Sequence, residues 1–199
     1  MVAKDAAGNE SATNTIIIVV DNLPPVVTVN APAKTNFTPI TITGTVDDRL
    51  TRVEANGLLA ARSERTFQAQ VSLIEGPNTV TITATSPNGF ISTKTLTIIL
   101  GTIPRILSIQ PTDGTKLYAG IATTIQATAT DKESDPLEYQ ILLSGQVLVD
   151  WSVEASHAWT PTDAQHGLST PEVRVRDGFG GVASKQVETY ILRKPVSPP

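Results

Sequence analysis

The stretch Asn78-Thr-Val-Thr-Ile-Thr-Ala-Thr-Ser-Pro-Asn-Gly-Phe-Ile-Ser-Thr-Lys-Thr-Leu-Thr-Ile-Ile-Leu100 decides the fold class. Thr79, Thr81, Thr83 and Thr85 alternate with Val80, Ile82 and Ala84. That period of two puts one set on a buried face and the other in solvent. Branched side chains are stiff at χ1 and pack well on a pleated surface, so the pattern predicts strand rather than helix. Pro87-Asn88-Gly89 interrupts it with residues that suit turn angles. The stretch therefore predicts a hairpin with strands Asn78 to Thr85 and Ser92 to Leu100.

The same grammar extends outward. Val26 to Asn30, Ile40 to Val46, Thr51 to Ala55 and Thr66 to Leu73 read as strands, with a short edge strand near Leu58 to Ala61. Asn56-Gly57 and Glu75-Gly76-Pro77-Asn78 read as the breaks between them. No stretch has helical period, and strand spacing of about 8–12 residues points to a sandwich or barrel.

Internal repetition sets the domain count. Ala3-Lys-Asp-Ala-Ala-Gly8-Asn, Ala84-Thr-Ser-Pro-Asn-Gly89-Phe and Val175-Arg-Asp-Gly-Phe-Gly180-Gly share one pattern, and Pro25-Val-Val-Thr-Val-Asn-Ala-Pro32 matches Pro104-Arg-Ile-Leu-Ser-Ile-Gln-Pro111. The predicted fold is all-β, a series of tandem immunoglobulin-like antiparallel β-sandwiches with seven strands per full unit. The expected boundaries are a C-terminal hairpin of a truncated unit at 1–22, sandwiches at 23–101 and 102–194, and a tail at 195–199. Asp21-Asn22-Leu23-Pro24-Pro25 and Gly101-Thr102-Ile103-Pro104 are expected to be short, stiff joints, because proline fixes its own backbone and restricts the residue before it.

Composition excludes several classes. Fifteen Lys and Arg stand against 19 Asp and Glu, for a net charge of −4 and no basic cluster, so no nucleic-acid partner is expected. The longest apolar run, Ile16 to Val20, is too short to insert in a membrane, and residues 1–20 lack the pattern of a signal peptide. The absence of Cys excludes disulfides, Cys-based zinc sites and Cys nucleophiles.

Asp5-Ala-Ala-Gly-Asn, Val20-Asp21-x-x-Pro-Pro and Leu73-Ile-Glu-Gly76-Pro-Asn78-Thr-Val-Thr-Ile-Thr-Ala84-Thr resemble tandem bacterial Ig-like domains of secreted and cell-surface proteins. In the 102–194 unit, Ala129-Thr-Asp131-x-x-x-Asp135-Pro136-Leu137-x-Tyr139, Trp159-Thr-Pro161 and Val175-Arg-Asp177-Gly178-x-Gly180-Gly181 resemble cadherin-like and PKD-like bacterial repeats. The resemblance implies stalks, spacers and adhesive modules outside the bacterial cell, some of which bind calcium in Asp-rich turns. Lys132 and Glu133 depart from the small Asp-Gly turn of those relatives.

Asp131, Glu133, Asp135 and Asp177 are the candidate metal ligands, since hard oxygen donors at one end of a sandwich suit Ca²⁺. The competing reading gives the same carboxylates to local backbone N–H groups in turns. Asp47 and Asp48, at the equivalent turn, lie beside Arg49 and Arg52 and read as a solvated ion-pair face. Tyr139 and Trp159 are expected in the core, whereas Trp151 is the aromatic expected to be exposed for ligand contact. His157 and His166 lie near Ser156, Asp163 and Ser169, but neither serine sits in a recognisable nucleophile turn, and no catalysis is expected.

The expected function is a non-catalytic spacer or adhesion segment of a larger extracellular protein, with neighbouring Ig-like domains and a cell-surface protein or glycan as partners. Two alternatives compete with it. One is a carbohydrate-binding accessory module of a secreted polysaccharide-active enzyme; the other is a fibre subunit that self-assembles by strand donation through residues 13–20.

Overall fold

A computed structural model describes residues 2–12 and 22–194. The strands are β1 (Val27–Asn30), β2 (Lys34–Thr35), β3 (Ile40–Val46), β4 (Arg52–Ala55), β5 (Leu58–Leu59), β6 (Ala61–Ser63), β7 (Thr66–Val71), β8 (Gly76–Thr85) and β9 (Ile91–Leu100) in the N-terminal half. The C-terminal half contributes β10 (Arg105–Gln110), β11 (Thr115–Tyr118), β12 (Thr123–Thr130), β13 (Glu138–Leu143), β14 (Gln146–Ser152), β15 (Ser156–Trp159), β16 (Gly167–Ser169), β17 (Pro171–Arg176), β18 (Ala183–Gln186) and β19 (Thr189–Leu192). A single 3₁₀ turn covers Asp163–Gln165, and no helix among the described residues is long and apolar enough to cross a membrane.

The N-terminal sandwich faces a four-stranded sheet, β1-β3-β7-β6, against a five-stranded sheet, β2-β9-β8-β4-β5. Alternation decides what lies between them. Ile40, Ile42 and Val46 of β3 meet Phe67, Ala69 and Val71 of β7 and, from the opposite sheet, Val53, Val80, Ile82, Ala84 and Ile98. The threonines of β8 stay outside this core, as their period requires. Each such fully buried branched or aromatic side chain contributes roughly 1.5–3 kcal/mol. Gly44 breaks the β3 pattern for a steric reason: a Cβ there would lie 2.1 Å from the Thr28 carbonyl oxygen and 2.5 Å from the Phe67 ring.

The expectation of seven strands needs one refinement. The opening strand is split, β1 in one sheet and β2 in the other, and the edge strand is split in the same way into β5 and β6. Each half then satisfies backbone groups at a different sheet edge. The break expected at Glu75-Gly76-Pro77-Asn78 is also shorter, because Gly76, Pro77 and Asn78 already pair with Leu100, Ile99 and Ile98. Proline is tolerated there because β4 pairs with β8 only over Ile82 to Thr85, which leaves Pro77 on an edge.

The C-terminal sandwich has its own core, built from Ile109, Ile125, Ala127, Tyr139, Ile141, Leu143, Trp159, Val173, Val175 and Ile191. Tyr139 and Trp159 are buried, as expected of the bulky aromatics of this unit. Its strands form the sheets β10-β12-β15, β11-β19-β16 and β14-β13-β17-β18. In both sandwiches a split-off piece of the opening strand runs parallel to the closing strand, β2 beside β9 and β11 beside β19.

At the N-terminus, a bridge between Lys4 and Glu10 closes a turn in which Asp5 accepts hydrogen bonds from the Ala7 and Asn9 backbone N–H groups. The Ser11 N–H to Ala3 carbonyl bond, at 2.8 Å, continues this bridge by one residue. Residues 13–20, read above as a donated strand, and the 195–199 tail lie outside the described residues.

Candidate functional site

The polar groups that the sequence singles out gather where the two sandwiches meet. After β12 the chain turns through Asp131 to Asp135, and Asp131 Oδ1 accepts the Glu133 and Asp135 N–H groups at 2.9 and 3.1 Å. Between β17 and β18, Asp177 Oδ1 accepts the Phe179 N–H at 2.9 Å. Both acids thus do turn chemistry first, fixing loops that no strand ladder supports.

One carboxylate oxygen from each of Asp131, Glu133 and Asp135 falls within 4.8 Å of the others. Asp177 stands apart from that trio and instead meets the preceding sandwich: the Asn36 side-chain amide donates to Asp177 Oδ2 at 2.6 Å and to the Gly180 carbonyl at 2.9 Å. The Asn36 backbone N–H adds a bond to the Phe179 carbonyl at 3.1 Å. Phe37 lies against Gly180 so closely that a Cβ there would be 2.3 Å from its ring, at a backbone φ of +112°. Ile103 fills the equivalent space at Gly181.

Lys34 brings the decisive charge. Its ammonium pairs with Asp135 Oδ2, and both side chains are largely buried, at 14% and 16% exposure. It also lies 4.7 Å from the centre of the Phe179 ring, within reach of a cation–π attraction. The hydrogen bond to Asp135 raises the lysine pKa above its ordinary value, with Glu133 and Asp131 adding to the field. Glu133 is held in turn by Thr102, whose N–H and hydroxyl both donate to Oε2, at 3.0 and 2.9 Å. The Thr102 N–H is the main reason that the Glu133 pKa lies below the usual glutamate range. At the rim, Lys132 pairs with Glu75 across the joint.

These donors test the calcium set that the resemblance implies. Calcium takes six to eight oxygens. Here Asp131 Oδ1, Glu133 Oε2 and Asp135 Oδ2 are already engaged by backbone N–H groups, Thr102 and the Lys34 ammonium. Asp131 Oδ2 and Asn36 Oδ1 are buried without a partner. As it stands, the arrangement does not fit a divalent ion, because a lysine cation is lodged among the same carboxylates.

Lys34, Asn36 and Phe37 were not singled out in the sequence. They lie on or just after a strand of two residues, too short to show any period, and their partners lie more than a whole repeat away. The one clue is their position immediately after the repeated Pro25-to-Pro32 segment.

The remaining candidates are scattered. Trp151 is half-buried rather than freely exposed, and the Arg176 guanidinium covers its ring at 4.2 Å. Arg176 is also paired with Glu138 at 2.8 Å, beside a shallow cavity of about 410 Å³ lined by Gly178, Gly180, Gly181 and Val182. Asp150, next to Trp151, accepts the Trp151 N–H and the Gln140 amide, and both hold its pKa below the usual range. Arg52 pairs with Glu54 at 2.6 Å rather than with Asp47 or Asp48, which corrects the expected ion-pair face. Asp48 accepts its own loop's Leu50 N–H. His157 and Ser156 sit on β15, Ser169 is buried on β16 in a different sheet, Asp163 opens the 3₁₀ turn and His166 follows it.

Three comparisons place this geometry among known proteins. Residues 25–102, which run from the entry of β1 to the joint, match the family model for glucodextranase, domain B. The chain is similar to the fibronectin(III)-like modules of Clostridium thermocellum CbhA, with 15% identity over 84% of this chain and 95% of that chain and a TM-score of 0.50. It is also similar to extracellular domains 3–5 of Drosophila OTK, with 10% identity over 80% of this chain and 58% of that one and a TM-score of 0.44. No curated protein matches the sequence. The likeness to the CbhA modules bears out the immunoglobulin-like, all-β fold read from the strand alternation.

Proposed function

We propose that the chain is a non-catalytic spacer or adhesion segment of a larger extracellular bacterial protein, and that its work is to hold neighbouring modules at a fixed separation. The observation that supports this most is the joint: Lys34, Asn36 and Thr102 each bind a loop of the following sandwich. A flexible tether would leave such groups to water. Other Ig-like units of the same parent chain are the natural partners, and a cell-surface protein or glycan is the natural target of an adhesive end. Small-angle X-ray scattering tests the reading. A curve fitted by a single two-sandwich arrangement supports it, whereas a curve that requires a broad ensemble of bend angles overturns it.

A second reading is favoured by the match to glucodextranase, domain B. In that reading the segment is an accessory module of a secreted polysaccharide-active enzyme, and Trp151, with Arg176 and Glu138 beside it, contacts sugar. A titration with soluble glucans that shifts tryptophan fluorescence in the native chain but not in Trp151→Ala supports it. An unchanged spectrum across a panel of glucans counts against it.

A further inference from the structure

We infer that the Lys34 ammonium is the resident cation of the Asp131–Glu133–Asp135 cluster, so that the joint is closed by an amine supplied from the preceding sandwich and needs no divalent ion. The inference rests on the contacts of the joint and is independent of what the whole segment does.

The negative charge of the joint is shared out among separate donors. Asp131 has two backbone N–H donors, Glu133 has the N–H and hydroxyl of Thr102, Asp177 has Asn36 and the Phe179 N–H, and only Asp135 depends on Lys34. Three of the four carboxylates are thereby stabilised by neighbouring dipoles, and one positive charge serves the fourth. A divalent ion would have to displace the Lys34 ammonium from Asp135 before it could draw on these oxygens.

The lysine is also tethered. Lys34 sits on β2, which is pinned to β9 by the Ile99 N–H to Ala33 carbonyl and Gly101 N–H to Thr35 carbonyl bonds, each 2.9 Å. Its ammonium is therefore delivered to the cluster at an effective concentration in the millimolar range or above, which a free ion must outcompete. Phe179 closes the far side with its ring face. The carboxylates, the buried and unpartnered Asp131 Oδ2 and Asn36 Oδ1, and the space held by the lysine head together imply that removing the amine turns the place into a divalent-cation site.

The test uses the full chain, calcium chloride and a chelator. Calcium binding is measured by titration calorimetry and Tm by differential scanning. The native chain is expected to show the same Tm in millimolar calcium as in chelator, and no binding. Lys34→Met is expected to melt lower in chelator and to gain calcium affinity at least tenfold above the native chain, with the gain abolished in Lys34→Met/Asp135→Asn. If Lys34→Met does not fold, Lys34→Gln carries the same reading. Calcium binding by the native chain overturns the inference, and so does a folded Lys34→Met or Lys34→Gln variant that gains none.

Discussion

The two sandwiches carry corresponding loops at the end that faces up the chain, after β3 and between β8 and β9 in one, after β12 and between β17 and β18 in the other. They use them differently. In the N-terminal sandwich Asp48 accepts the Leu50 N–H, and Ser86 accepts the Gly89 and Phe90 N–H groups. Leu50 and Phe90 remain exposed there, at 68% and 37%. In the C-terminal sandwich Asp131 and Asp177 make the same kind of turn, yet both acids are buried, and Lys34, Asn36, Phe37 and Thr102 lie against the two loops. A carboxylate in such a turn is first a backbone device; a neighbour makes it a joint.

The sharpest way to break the comparison is through corresponding glycines. Gly180→Ala combines an unfavourable left-handed backbone with a Cβ driven into the Phe37 ring. It is expected to cost roughly 2–5 kcal/mol, the sum of about 1–2 for the backbone and 1–3 for overpacking. Gly89→Ala has a φ of +85° but nothing within 4 Å of the new Cβ, so it should cost only about 1–2 kcal/mol. Denaturant unfolding of the two variants measures the difference, and equal losses would mean that Phe37 is not seated on the loop. A middling effect is expected for Asn36→Ala, which leaves the Gly180 carbonyl and Asp177 Oδ2 without their side-chain donor. About 1–3 kcal/mol of coupling should disappear, visible as the two sandwiches unfolding in separate steps.

The smallest effect concerns pH. The depressed Glu133 pKa contributes stability that is fully present above the unfolded glutamate value and is lost as pH falls through the lower folded value. The raised Lys34 pKa contributes stability that is fully present below the unfolded lysine value and is lost as pH rises through the higher folded one. The joint should therefore be indifferent between about pH 5 and pH 10 and loosen beyond either limit. Scattering curves collected across that range check the plateau, and a change within it would show that another group controls the contact.

The cores and the turns were legible in the sequence because both are local. Alternation over Asn78 to Thr85 announces Val80, Ile82 and Ala84 as buried, and Asp-x-x-Gly motifs announce loops whose side chains bond their own backbone. Tyr139 and Trp159 were legible from the bulk they bring to an aromatic-poor chain. The partners across the joint were not, because no periodicity connects Lys34 with Asp135 or Asn36 with Asp177. Arg52 is a different case: its partner Glu54 lies two residues on, on the same face of β4, so the strand period itself points to the pair that the reading with Asp47 and Asp48 passed over.

The parallel pairing of opening and closing strands has a mechanical consequence. Tension on the chain enters a sandwich at β1 or β10, passes next to β2 or β11, and leaves by β9 or β19. Between parallel neighbours pulled in opposite directions, the hydrogen bonds bear load side by side, in shear, instead of peeling one after another. β11 meets β19 at four positions, Thr115 to Tyr118, whereas β2 meets β9 only at Lys34 and Thr35. Under a steady pull the N-terminal sandwich is thus the weaker link, and Lys34, on the short clamp that gives way first, ties its mechanical failure to the opening of the joint.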